Sequence, residues 1–430
     1  MVKKFHKRLF LTVIVLGLSA CTKYGLVVDN KVLTNTKQAI KQPYVILVSL
    51  DGFRWDYVER FKPPHLSQFI KNGVKAESLI PSFPSKTFPN HYTIATGMYP
   101  DNHNIIGNSF FDYEKKARYS INNRKAVEDG EFYSGTPIWV HAAQTGMVTS
   151  SYFFVGTEAE IKGLRPTNYY NYDGKVLKQE RVNQVLKWLK LPKKQRPHLI
   201  TLYFEDMDDT GHDYGPNQDE KLKQTLYELD EVLGHLFKGV ADTKLPVNII
   251  FVSDHGMMNI PVDNYIPREI VKNDDLYSAI DNGSLINIHP HKIDKTDDIF
   301  KNLKTLEKKH HLKVYKTENT PGFEYVPKNK NWGSIQVVAD DGYYFSSEYG
   351  IEKRKQKSHK NFGAHGFDPI IKDMHGIFYA NGPNFKKGIT IPSFKNIHIY
   401  PLMCQILGLP IPESIDGNID QLINIIKPEK

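Results

Sequence analysis

The chain predicts a layered α/β fold around a largely parallel sheet, with a smaller subdomain inserted late in the sequence. Tyr44–Leu50 and Val247–Val252 are continuous apolar runs of strand length, as expected of strands buried on both faces. Helical and strand-like segments alternate around them, the pattern of strand–helix–strand crossovers. Between residues 259 and 360 that alternation gives way to short strands and long connections rich in Lys and Asn, which reads as an inserted cap. The core is then residues 43–258 and 361–424.

At 430 residues, 40% hydrophobic and 24% charged, the chain has enough apolar material for a large core and a second lobe. Its formal net charge is +8, but Lys3, Lys4, Lys7 and Arg8 lie in a segment expected to be removed, which would leave +4. Lysine is spread along the chain rather than gathered on one element, so no specific nucleic-acid binding is expected.

The N-terminus reads as a targeting signal. A basic start precedes the apolar stretch Leu9–Leu18, which is short for a membrane span. Leu18-Ser19-Ala20-Cys21 resembles a bacterial lipobox, so residues 1–20 are expected to be a lipoprotein signal peptide and Cys21 the acylated first residue. Lipidation there would anchor the protein to the cell envelope, facing the periplasm or the exterior, without spanning the membrane. Residues 21–42 are polar and low in aromatics, suiting a tether. Cys404 is then the one remaining cysteine, so no internal disulfide is expected. Its apolar setting, Ile397–Leu409, suits a buried, inert thiol.

In chain order, Leu66–Asn72 reads as a helix stopped by Gly73, and Val74–Ile80 as an apolar strand run. Tyr92–Gly97 reads as a short helix ended by glycine. Pro137–Gln144 and the amphipathic Val176–Leu189 are further helices, with strands at Val148–Phe154 and His198–Phe204. Glu220–Phe237 is a long helix before Val247–Val252. The insertion carries strands near Leu285–Ile288 and Gly333–Phe345 and a helix near Lys295–Lys309. His310-His311 within it reads as a solvated pair. The core resumes with a strand at Gly376–Ala380 and a helix through Leu407.

Three groups of acids and imidazoles stand at strand ends, where open α/β sheets place their ligands. They are Asp51, Asp208 with His212, and Asp254-His255; His365 comes a loop later. Three carboxylates and three imidazoles can hold two metal ions with positions left open for substrate. Nitrogen and oxygen donors without thiolate favour zinc. The stretch Phe83-Pro84-Ser85-Lys86-Thr87-Phe88-Pro89-Asn90-His91 places hydroxyls, an ammonium and a ring between two prolines that fix the local backbone. Such an elbow suits a nucleophile, although a capping turn would look the same.

Four motifs in one order resemble the nucleotide pyrophosphatase/phosphodiesterase family of the alkaline phosphatase superfamily. They are Phe83–His91 with Tyr92–Tyr99, Tyr203–Pro216, Ser253–Met257 and Gly363–Phe367. The resemblance implies a mixed, mainly parallel sheet sandwiched by helices. It also implies two zinc ions, one held by Asp208, His212 and His365, the other by Asp51, Thr87, Asp254 and His255. Thr87, not Ser85, takes the nucleophile position, and Asn108 the position that donates to a non-bridging phosphate oxygen. A covalent threonine phosphodiester, resolved by water, is the implied intermediate.

Phe88 and Tyr172 match the positions that sandwich a nucleobase, and Tyr203 a pocket tyrosine. Lys86 could meet a phosphate oxygen or play a structural part. Phe154 stands where many relatives have tryptophan, and Met207 replaces the usual proline before Asp208. The implied substrate is a nucleotide phosphodiester or pyrophosphate. Two alternatives stay open. One is a phosphocholine-type phosphodiesterase, favoured if Glu158 or Glu160 reaches the pocket, since aromatics can cage a quaternary ammonium. The other is a non-catalytic, surface-anchored binding protein.

Overall fold

The computed structural model describes residues 25–29 and 31–428. The expected signal peptide and Cys21 lie outside those residues. No helix among the described residues is long and apolar enough to cross a membrane.

A nine-stranded sheet organises the core. Five strands run parallel, in the spatial order Asn168–Tyr170, Thr149–Tyr152, Leu199–Phe204, Tyr44–Leu50, Val247–Val252. Phe378–Asn381 joins antiparallel to Val247–Val252, and Val74–Ala76 and Ile389–Ile391 complete that side. The apolar runs read as they do because alternate side chains feed two separate cores. Val45, Leu47, Ile250 and Val252 pack on one face; Ile46, Val48, Leu50, Ile249 and Phe251 pack on the other. Helices Thr87–Thr96, Ile138–Gln144 and Ile399–Leu407 cover the first face, and Pro64–Lys71, Lys178–Leu189 and Asp219–Asp242 the second.

The described part of the segment expected as a tether docks on this core. Leu26–Val28 pairs antiparallel with Asn168–Tyr170 at the sheet edge. The buried Asn35 amide donates to the carbonyls of Lys193 and Arg196 and accepts from the Val148 N–H. Those bonds fix a polar stretch that composition alone marks as free.

Residues 262–360 form a smaller lobe with its own apolar core. Four antiparallel strands, ordered Tyr277–Asp281, Leu285–Pro290, Ile335–Ala339, Leu312–Lys316, carry the helix Thr296–Lys304. The antiparallel pair Met258–Pro261 and Asn361–Ala364 forms the neck.

Two expected strands are each divided. Val74–Ile80 breaks at Ser78, whose buried hydroxyl bonds His375 Nδ1 at 2.8 Å, and Leu79–Ile80 leaves the main sheet to pair with Phe394–Lys395. Gly333–Phe345 turns at Asp340–Gly342 and continues as Tyr344–Ser346 beside Tyr265–Pro267. Of the expected solvated histidine pair, His311 stacks on Tyr343 with 4.0 Å between ring centroids. Burial pushes the Cys404 thiol up to about 12, so it stays protonated and unreactive.

Candidate metal centre and substrate cavity

Thr87 is the first residue of the helix Thr87–Thr96, five residues earlier than the sequence pattern suggested. Lys86 before it is extended, and Pro89 falls in the first turn, where its missing N–H costs no helical bond. Asn90 locks the approach. Its amide nitrogen donates to the carbonyls of Ser82, Pro84 and Lys86, and its oxygen accepts from Ser82 N–H at 2.7 Å. The Thr87 hydroxyl is thereby held at a helix N-terminus, where the backbone dipole favours negative charge.

The acids and imidazoles converge beside it. Asp51 ends the strand Tyr44–Leu50, Asp254 and His255 come just after Val247–Val252, and Asp208 and His212 are one turn apart on the helix Asp206–Tyr214. His365 comes directly after the neck strand. Gly52 permits the convergence: its φ is +60°, and a Cβ there would lie 2.8 Å from Asp208. Ligand atoms of Asp51, Asp254 and His255 lie within 4.8 Å of one another, as do those of Asp208, His255 and His365. His255 is thus common to both clusters. His212 reaches the second through Asp208, its Nε2 3.4 Å from Asp208 Oδ2. Thr87 Oγ1 stands 3.3 Å from His255 Nε2.

These residues fit metal ions. Asp51 Oδ1, Asp208 Oδ1 and Asp254 Oδ2 are buried and accept no hydrogen bond among the described residues, a costly state for carboxylates unless a cation meets them. Each imidazole anchors its Nδ1–H on a main-chain carbonyl: His212 on Gly363 at 2.8 Å, His255 on Gly256 at 2.8 Å, His365 on Ser85 at 2.9 Å. That fixes the tautomer and turns each Nε2 lone pair toward the acids, as in histidines that ligate metals. Burial, then the neighbouring Asp254 and Asp208 charges, push the Asp51 carboxyl well above the usual carboxylate range. Asp254 goes the other way: burial opposes its charge, but His255 and His91 outweigh it and hold the carboxyl well below that range. Burial and then the imidazole of His255 lower His365, keeping it neutral.

A cavity of about 270 Å³ opens from this centre, walled at one end by Asp51, Thr87 and Asp208 and at the other by Phe88, Tyr172, Phe153, Arg124 and Glu158. Tyr203 lines it too and donates its hydroxyl to Asp51 Oδ2 at 2.6 Å. Asn108 is half-buried and tied to the Thr87 turn, its Oδ1 accepting from Phe88 N–H at 3.1 Å.

Lys86 is not brought to the cavity. Its buried ammonium donates to Tyr344 Oη at 2.8 Å and to the His365 carbonyl at 2.7 Å, which turns it toward the smaller lobe. The aromatic of interest after the strand Thr149–Tyr152 is Phe153, not Phe154. Phe154 is buried against His91 and Trp139, whereas Phe153 faces the cavity from a left-handed backbone, φ +68°. Such a conformation is costly for a bulky residue and is found most often at functional sites. Glu160 pairs with Arg165 and Lys31 and does not line the cavity. Glu158 does, paired with Arg124. Sequence reading missed Arg124, which carries no local motif. It also missed the brace by His91, although that residue closes the Phe83–His91 motif. His91 bonds Ser49 Oγ at 2.7 Å and the Thr87 carbonyl at 2.9 Å, and faces Asp254 at 3.4 Å.

Comparison with known proteins gives the family. The sequence pattern of type I phosphodiesterase / nucleotide pyrophosphatase matches residues 45–368. The chain belongs to that family. It is 34% identical to human ectonucleotide pyrophosphatase/phosphodiesterase family member 1 over 89% of its own length and 42% of the relative's. With human family member 5 the identity is 31%, over 98% of the chain and 84% of the relative. The chain spans less than half the length of several curated relatives it matches. The solved structure of murine family member 5, an inactive threonine-to-alanine variant in complex with AMP, superposes with a TM-score of 0.81 at 31% identity, covering 90% of this chain and all of that one.

Proposed function

We propose that the chain is a metal-dependent phosphodiesterase that cleaves nucleotide phosphodiester or pyrophosphate bonds to release a nucleoside monophosphate. The observation that carries this reading is the Thr87 hydroxyl, at a helix N-terminus and 3.3 Å from His255 Nε2, sharing one cavity with buried carboxylates and with Phe88 and Tyr172. The murine neighbour supports it: a threonine change accompanies inactivity there, and the bound molecule is a nucleoside monophosphate.

Two zinc ions are the proposed cofactors, one held by Asp208, His212 and His365, the other by Asp51, Asp254 and His255 with Thr87. Bound there, they would supply Lewis acidity that lowers the hydroxyl pKa and offsets charge on phosphate and leaving group. The Thr87 hydroxyl gives its proton to solvent as Oγ attacks phosphorus in line, the P–O bond to the leaving group breaks, the leaving oxygen takes a proton from solvent, and a threonine phosphodiester forms. Water then attacks phosphorus, the P–Oγ bond breaks, a proton of the attacking water passes to Thr87 Oγ, and the monophosphate leaves. Asn108 Nδ2 has no protein partner among the described residues and is free to donate to a non-bridging oxygen. Phe88 and Tyr172 stack on the base, while Tyr203 orients Asp51.

The choline alternative is disfavoured by one observation. The acidic residue at the aromatic end, Glu158, is already ion-paired with Arg124, so a quaternary ammonium would find no free carboxylate there. The test compares hydrolysis of nitrophenyl esters of thymidine monophosphate, phosphate and phosphocholine, with and without chelator. The thymidine ester should turn over fastest and chelator should abolish it; a faster monoester would overturn the diesterase reading. We also propose envelope anchoring through Cys21. Cys21→Ser should move the protein from membrane to soluble fractions, and an unchanged distribution would refute it.

A further inference from the structure

One turn of the smaller lobe packs against the segments that carry Asn108 and His365. Asp281-Asn282-Gly283-Ser284 joins the strands Tyr277–Asp281 and Leu285–Pro290 and bonds the residues next to Asn108 and His365. Asn282 clamps the backbone of Ser109 from both sides: its Oδ1 accepts from Ser109 N–H at 3.1 Å, and its Nδ2 donates to the Ser109 carbonyl at 3.0 Å. The same Nδ2 also donates to Asn287 Oδ1 at 3.1 Å, which keeps the carboxamide from rotating. Gly107 leaves room for this approach, since a Cβ there would sit 3.0 Å from Asn282 Oδ1. On the other side of the turn, Ser284 Oγ donates to the Gly366 carbonyl at 2.7 Å, one residue past His365.

From this geometry we infer that Asn282 is a positioning residue for phosphoryl transfer, and that the inserted lobe serves the reaction by fixing Asn108. The inference rests on the diesterase reading. Asn108 lies between Gly107, packed under the Asn282 carboxamide, and Ser109, gripped by it. Its own Oδ1 is engaged by Phe88 N–H. Backbone and side chain are therefore pinned independently, and the free Nδ2 has one direction left in which to donate. A donor aimed in advance at the developing charge stabilises the transition state without reorganising, whereas one that must be ordered during reaction does not. The clamp is made by a side chain on backbone, so a plain apolar lobe contact would not replace it.

The experiment uses the whole chain and pairs kinetics with hydrogen exchange. Asn282→Ala should lower kcat on the thymidine ester about ten- to hundredfold, the scale expected for a slightly misplaced group, with KM within about twofold. Asn108→Ala alone should cost ~10²–10³ in kcat. If Asn282 acts through Asn108, the double variant should be no slower than Asn108→Ala. Ser284→Ala, which loses a bond on the other side of the turn, should instead multiply with Asn108→Ala. Independently of turnover, amide exchange in the segment 105–112 should quicken in Asn282→Ala, while exchange in the strands of the small lobe stays as in the parent. Should Asn282→Ala fold poorly, Asn282→Asp keeps the acceptor for Ser109 N–H but loses both donated bonds, and should show the same pattern to a smaller degree. Unchanged exchange at 105–112, or a double variant whose losses multiply, would overturn the inference. An inactive parent chain with quickened exchange would overturn the diesterase reading, and with it the positioning role, while leaving the clamp itself demonstrated.

Discussion

The two ends of the cavity are built differently. At the acidic end the side chains stand at strand termini or in a first helical turn, His212 one turn further along its helix, and each imidazole is anchored on main chain. At the aromatic end Phe153, Glu158, Tyr172 and Arg124 come from connections or a one-turn helix, and they are held by one another: Phe153 meets Tyr172 edge to face at 5.2 Å, and Arg124 pairs with Glu158. The first end is fixed by the sheet. The second is fixed by side-chain contacts that can change without disturbing the fold, which is where substrate choice can vary while the chemistry persists.

The largest effect separating the two ends is expected at the rigid one. Thr87→Ala should lower turnover of a nucleotide ester by at least ~10³-fold, because no other hydroxyl in the elbow replaces it. Ser85→Ala is the companion. Ser85 Oγ donates to the Phe367 carbonyl at 2.8 Å and accepts from Gly366 N–H at 3.0 Å, so it braces the loop of His365. Its loss should cost about 1–3 kcal/mol of stability, read as a lower melting temperature, with turnover kept within roughly tenfold. Equal loss of turnover in both variants would move the nucleophile.

The same contrast explains what was legible in the sequence. Asp51, Asp208 and Asp254-His255 could be found because buried strands announce themselves as apolar runs, and a residue just past the end of such a run sits at the sheet's carboxyl edge. The strands Tyr44–Leu50 and Val247–Val252 have the bounds their sequence suggests. Arg124 and Phe153 were invisible, since their place depends on contacts between segments far apart in the chain and on a left-handed backbone at Phe153 that no local pattern signals. Lys86, open in sequence between a phosphate contact and a structural part, takes the second for a related reason. Its neighbour is the candidate nucleophile, but the extended backbone at Lys86 sends its ammonium to Tyr344, a residue 258 positions later. The docking of Leu26–Val28 and of Asn35 likewise rests on long-range contacts, with Asn168–Tyr170 and with the Lys193 and Arg196 carbonyls.

At the soft end the expected effects are smaller. Tyr172→Ala should raise KM for the thymidine ester by roughly five- to hundredfold, given ~1–3 kcal/mol for one stacked base. Nitrophenyl phosphate, which carries no base, should be hydrolysed as by the parent. If kcat on both substrates fell together, the ring would be holding the acidic end and the two ends would not be separable.

Arg124→Met probes the finest difference. Arg124 bridges Glu128 and Glu158; its side chain is 44% exposed, whereas that of Glu158 is 6% exposed. Removing the guanidinium keeps the stem's apolar packing and leaves the Glu158 carboxylate as an unmatched charge on the cavity wall. A substrate carrying a quaternary ammonium would then gain an opposite charge, while one carrying a neutral base would gain nothing and lose a donor. Two unit charges about 4 Å apart interact by ~1 kcal/mol in a water-like medium and by more where water is excluded. The ratio of kcat/KM for nitrophenyl phosphocholine over the thymidine ester should therefore rise about fivefold or more, most of it in KM. A ratio that does not move would mean that the Arg124–Glu158 pair braces the cavity wall without facing the substrate, and base recognition would then rest on Phe88 and Tyr172 alone.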